Sequence, residues 1–323
     1  MMGLRERDQL HRWVESGRLG AEQWQQLERL GWHQPDSRQW RNLLDRLLAL
    51  AGVLLLAVGL IFFLAWNWDD LHRFAKLGLA VGALTTFTAL AGYAAPYSSL
   101  QRAMLLGCAL TSGALLALIG QTYQTGADIW QLFAAWAVLM LPWALLSRSA
   151  VCWGLWLLVC NLALLRFFIS MPMFQLFWGF GQADGLLMLG LFNLAVLLLF
   201  EWLEPYLLCR PARLIQRLAG LLLLAAWTPG GLLGWWESGF AAVLLVLLVV
   251  CAVGIVGYLY LRRDLPLLAL QLFCLIIVGA SGLARGLEAL DGFMLFNILG
   301  GYLLLSSALA SIWLHRLYRE GRG

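Results

Sequence analysis

The chain reads as an all-α polytopic membrane bundle of about ten spans with a small N-terminal cytoplasmic helical hairpin. Three observations carry that reading: composition, the spacing of apolar runs, and the placement of arginine. Of 323 residues, 62% are hydrophobic and only 12% are charged, and the mean hydropathy is +0.78. A soluble domain holds about 25% charged residues, so this chain is written for a hydrocarbon solvent.

Two regions meet near Leu43. Residues 1–42 form a cytoplasmic amphipathic domain, with Leu10, Trp13 and Val14 on one face, a break at Gly17 to Gly20, and a second face of Trp24, Leu27 and Leu30. Gly31 closes that helix, and Pro35-Asp36-Ser37 opens the next with Asp36 or Ser37 as its cap. No apolar run of signal-peptide length occurs between Met1 and Asn42.

Residues 43–323 make the transmembrane domain. A helix needs about 20 apolar residues to cross a bilayer, and runs of that length follow at 45–66, 73–94, 103–122, 129–147, 150–169, 185–203, 213–230, 239–261, 265–284 and 292–314. The segment from Ser170 to Ala183, between the fifth and sixth runs, is too short to cross and too apolar for an ordinary loop, which predicts an interfacial stretch. An even number of spans places both termini on one side.

Arginine chooses the side. The loops and tail on the side of the N-terminus hold Arg102, Arg148, Arg210, Arg213, Arg217, Arg262, Arg263, Arg316, Arg319 and Arg322, before the arginine-rich N-terminal arm is counted; the other side holds Arg73, Lys76, Arg166 and Arg285. By the positive-inside bias, both termini are expected in the cytoplasm. Tryptophan supports the same helix ends: Trp66, Trp68, Trp130, Trp178, Trp235 and Trp236 fall near the outer ones and Trp40, Trp202 and Trp313 near the inner ones.

Several functions are excluded by what the chain holds. The net charge of +4 is scattered through short loops and forms no basic stripe, so the expected partner is the lipid bilayer and not nucleic acid. Six cysteines contain no CxxC pair, and five lie in apolar runs where a small polarizable side chain packs well. No HExxH or GxSxG motif is present and no histidine falls within a span interior, so no catalytic residue, metal or cofactor is expected.

Polarity concentrates at the outer rim. Trp66, Asn67, Trp68, Asp69 and Asp70, with Arg73 and Lys76 beyond, are either an outward-facing site or an interfacial belt followed by a helix cap. Gly120 to Asp128, including Gln121, Tyr123, Gln124 and Asp128, either bonds to that turn or lines an aqueous vestibule. Deeper polar side chains are neutral, with Asn161, Asn193, Gln271 and Asn297 as the candidate intramembrane set, and interhelical hydrogen bonding is their expected role. Glu201 and Arg166 sit where they can snorkel. Gly52 and Gly59, Gly78 and Gly82, and Gly254 and Gly257 are expected where helix backbones approach.

Trp66-Asn67-Trp68 with Lys76, Gly120-Gln121-Thr122-Tyr123-Gln124 and Leu141-Pro142-Trp143, together with Gly17, Leu19, Trp24 and Leu27 in the arm, resemble the bacterial membrane family catalogued as domain of unknown function 2157. The resemblance spans roughly residues 1–150 and implies a bacterial inner-membrane topology without an assigned activity. The expected role is a non-enzymatic scaffold, sensor or assembly partner that contacts a protein through residues 1–42, where Trp24, Trp32 and Trp40 lie. The alternative is a carrier for an uncharged or amphipathic solute, built from two inverted five-span halves.

Overall fold

The computed structural model of the protein describes residues 37–67, 70–124, 126–170, 181–209 and 213–320, and among them the regular elements are helical. Ten α-helices follow in chain order: α1 Ser37–Trp66, α2 Arg73–Tyr93, α3 Ser99–Tyr123, α4 Ile129–Ser147, α5 Ala150–Ser170, α6 Gln182–Leu207, α7 Leu214–Leu233, α8 Ala241–Tyr260, α9 Leu265–Gly286 and α10 Gly292–Glu320. A short 3₁₀ turn, Ser238–Phe240, leads into α8. Each helix coincides with one expected span. Long Leu- and Ala-rich runs satisfy their backbone groups internally, which hydrocarbon requires.

Polar residues set the ends. Ser98 caps α3 by accepting from the Gln101 N–H at 3.1 Å. Asp184 accepts from the Gly181 N–H at 2.7 Å at the start of α6, and Asp264 caps α9 by accepting from the Leu267 N–H at 3.4 Å. Prolines inside α4, α6 and α7 (Pro142, Pro205 and Pro229) are accommodated, as they are in membrane helices whose neighbours satisfy the freed carbonyls.

Two compact units divide the chain, Met1–Leu55 and Leu56–Gly323. In the first, the described part is the beginning of α1, which runs through Leu43 without interruption, so the expected boundary between 42 and 43 falls inside one helix. The amphipathic turns expected before Asp36 lie outside the described residues, as do Trp68, Asp69, Thr125 and most of the interfacial segment, 171–180.

Within the second unit, α3 packs closely against α2 and α4, and α4 against α5. α7 packs against α5, α6, α8 and α9, and α10 lies on α9. Nine of the ten described helices are long and apolar enough to cross a membrane, and α7 is the exception. It carries Gln216 and Arg217 near its start and Thr228-Pro229-Gly230-Gly231 near its end. Because α7 is surrounded by other helices, it meets protein where an outer helix meets lipid, and it needs less hydropathy. In α6–α10 one helix, α7, packs against α6, α8 and α9, whereas α2 to α5 pack mainly on their sequence neighbours, so the two groups are not packed as repeats of one another.

The expected role of the glycines is corrected. Around Gly52, Gly59, Gly78, Gly82 and Gly257 an added Cβ would meet nothing within 4 Å, so these are not close-approach points. Only Gly254 is, against Gln271 of α9. The tight glycines are instead sockets for large side chains. A Cβ at Gly113 would lie 2.3 Å from the Trp136 ring, one at Gly190 1.9 Å from that of Trp227, and one at Gly282 2.8 Å from that of Trp235. A strict Gly-x-x-x-Gly spacing fails to find them because the partner is one indole ring and not a second backbone.

Candidate functional site

Hydrogen bonds and shared cavities sort the helix termini of the second unit into two ends. At one end, Arg148 of the α4–α5 turn donates to the Pro205 carbonyl at 3.0 Å and lies over the Tyr97 ring, and Arg262 of the α8–α9 turn reaches α6. At the other end, the last turns of α1 and α3 and the first of α4 come together. The first is termed the Arg148 end and the second the Trp66 end.

At the Trp66 end a groove of about 810 Å³ opens between α1, α3 and α4. Ile61, Leu64 and Ala65 form one wall; Gly113, Ala114, Ala117, Leu118 and Gln121 form the floor; Leu132, Phe133 and Trp136 form the opposite wall. The groove exists because the Leu56–Trp66 stretch of α1 makes no extended close backbone approach to the other helices, while small residues on α3 leave room beneath it. Its lining is apolar apart from two groups. Trp136 already donates its indole N–H to the Ala109 carbonyl at 2.8 Å. Gln121 has no hydrogen bond among the described residues, so its amide is the one uncommitted polar group in the lining.

Of the outer-rim residues, Gln121 alone among those described enters this groove. Trp66 is 89% exposed, and Asn67 turns back to donate to the Phe63 carbonyl at 2.9 Å. Asp70, Tyr123, Gln124 and Asp128 are exposed. Gln124 ends α3 in the left-handed region at φ 44°, and Asp128 precedes α4, where its N–H donates to the Gln131 side chain at 3.2 Å. Among the described residues, no hydrogen bond joins the 66–70 turn to the 121–128 segment. The rim therefore divides into helix-capping residues and the groove edge at Gln121.

The intramembrane candidates separate in the same way. Asn161 of α5 and Asn193 of α6 exchange two hydrogen bonds, at 3.1 and 2.6 Å, and each also donates to the carbonyl four residues earlier in its own helix. That closes their donor capacity. Gln271 is buried against Gly254. Asn297 is exposed and donates to the Phe293 carbonyl of α10.

A charged joint at the Arg148 end is not evident from the sequence. Asp264, whose side chain is fully buried, lies 2.9 Å from Arg213 and 3.3 Å from Arg217. Glu201 pairs with Arg213 at 2.5 Å and Arg262 at 3.0 Å, and accepts from the Tyr258 hydroxyl at 3.2 Å. Glu204 accepts from the Arg213 N–H at 3.0 Å. Glu201, expected to snorkel, is thus tied into a network that joins the ends of α6, α7, α8 and α9. The paired residues of this network are between 9 and 61 positions apart along the chain, so no local spacing announces them. The available signal is that acidic residues are scarce in a chain rich in arginine.

Residues 11–153 match the family described as Predicted membrane protein (DUF2157). This part of the chain is similar to that family. It includes α1 to α4 and the start of α5, and therefore the whole lining of the groove, whereas the charged joint lies beyond it. With nine helices among the described residues long and apolar enough to cross a membrane, the protein is a multi-pass membrane protein. No curated protein and no solved structure matches the chain.

Proposed function

We propose that the protein acts without a catalytic step, as a membrane-embedded sensor or assembly partner in which the DUF2157 part receives an apolar group in the α1/α3/α4 groove. The observation that carries this reading is the groove itself, about 810 Å³ and lined by Ala, Gly, Leu, Ile, Phe and Trp with one free amide at Gln121. Such a lining suits a lipid chain or an apolar helix, for which dispersion and close packing supply the affinity. The alternative, a carrier for an uncharged or amphipathic small solute, has less support, since the buried Asn161–Asn193 pair is closed on itself and offers a solute no free donor.

The orientation proposed places both termini in the cytoplasm of a bacterial inner membrane. The arginine asymmetry supports it, and so does the gathering of Arg148, Arg213, Arg217 and Arg262 at one end of the bundle. Residues 1–42 then supply the contact for a protein partner, with Trp40 exposed at their margin.

Two measurements test this reading. Purification of the full chain from its native membrane should recover a specific partner, and a variant lacking residues 1–40 should lose that partner while keeping its helical content. Proteoliposomes that move a neutral solute in a protein-dependent manner would overturn the reading in favour of a carrier.

A further inference from the structure

A second cavity, of about 460 Å³, lies at the Arg148 end between the end of α8, the start of α9 and the end of α10. Its walls are of two kinds. Leu259, Leu268 and Leu317 continue the apolar surface of the spans, and Trp313 and Tyr318 bring amphipathic rings to the helix ends, where a bilayer has its interface. Arg263 is the one charged residue in the lining, and it is exposed.

Charge balance distinguishes this place from the neighbouring joint. Arg213, Arg217 and Arg262 are all committed to Glu201 or Asp264. Arg263 has no ion pair or hydrogen bond among the described residues, and neither do Arg316 and Arg319, exposed on the same final turns of α10 as Trp313 and Leu317. Glu201 and Asp264 already hold arginines, and among the described residues no carboxylate pairs with Arg263, Arg316 or Arg319.

We infer that this cavity is a binding site for an anionic glycerophospholipid, with Arg263 and Arg316 holding the phosphate headgroup and the Leu259–Leu268–Leu317 wall receiving an acyl chain. Three features commit the site to a lipid over a free anion. The cavity is mostly apolar, it lies where three spans end, and Arg263 stands in its lining with Arg316 on the adjoining turn of α10. A basic pocket between helix ends with aliphatic walls below it matches the two halves of such a molecule, and each basic residue near the surface contributes about fivefold in affinity, the factor equivalent to about 1 kcal/mol. The inference is independent of the groove at the Trp66 end.

The test uses the full chain purified in detergent, supplied with equal amounts of phosphatidylglycerol and phosphatidylcholine and analysed by native mass spectrometry for retained lipid. Phosphatidylglycerol should be retained preferentially. Arg263→Gln should reduce that preference about fivefold, Arg263→Gln with Arg316→Gln should abolish it, and Arg263→Lys should keep most of it. Arg285→Gln, at the opposite end and paired with Glu288, should leave it unchanged. Among the described residues Arg263 and Arg316 make no hydrogen bond or ion pair, so the lipid-free melting temperature should match the wild type in each variant. Equal retention of the two lipids, an undiminished preference in the double variant, or displacement of phosphatidylglycerol by equimolar inorganic phosphate would overturn the assignment.

Discussion

Trp136, Trp227 and Trp235 each sit over a glycine of a facing helix and give their indole N–H to a carbonyl one turn earlier in that helix: Ala109 at 2.8 Å, Leu187 at 3.2 Å and Val278 at 3.1 Å. The missing Cβ lets the ring approach the backbone closely and reach a carbonyl whose second lone pair is free. One side chain thereby supplies both packing area and a polar contact between helices. Gly190→Leu should consequently be strongly destabilising, by about 3 kcal/mol or more, because it drives a side chain into the buried Trp227 ring. Gly78→Leu, facing open space, should change stability by less than about 0.5 kcal/mol. Thermal unfolding of the two variants in the same detergent makes the comparison; equal losses would show that the sockets do not hold the helices.

Among the elements, α7 is the one that membrane criteria overlook and packing makes central. It buries Ile215, Gln216, Ala219, Leu223 and Trp227, and the Gln216 side chain donates to the Phe200 carbonyl of α6 at 3.1 Å. Its first turn is held by Asp264, which caps α9 and pairs with Arg213 and Arg217 at once. Removing a buried partner from charged neighbours leaves them uncompensated. Asp264→Ala is expected to lower stability by about 2 kcal/mol, less than for a fully enclosed pair because Arg217 is 43% exposed. Hydrogen exchange should rise first at the start of α7 and α9; uniform exchange across the bundle would show that the joint is not local.

At the scale of the molecule, the arginine-rich end and the Trp66 end should lie on opposite faces of the membrane. A single cysteine at Arg148 should be labelled by an impermeant thiol reagent only from the cytoplasmic face, and one at Glu288 only from the outer face, in a background where the six native cysteines are replaced. Labelling of both from one side would reverse or abolish the proposed topology. The groove and the charged joint occupy opposite ends and different parts of the chain, since the DUF2157 match covers the first and stops before the second.

All ten helices could be located from residue order, and the rim residues Gln121 and Asp128 were singled out from it, because hydropathy and capping are local properties that a span carries within its own 20 or so residues. The bundle class and the sorting of arginines to alternate loops belong to this kind. The pairing of Glu201 with Arg262, the closure of Asn161 on Asn193, the seating of tryptophans on Gly113, Gly190 and Gly282, and the centrality of α7 depend on which helices become neighbours. Lipid tails solvate every apolar helix face about equally well, so hydropathy cannot rank one neighbour over another. That choice rests on small differences in shape and on scarce polar partners, which exist only once the helices are assembled. For the same reason Gln121 was legible as a polar residue at a helix end, while the space it borders appeared only when α1 was placed beside α3 and α4.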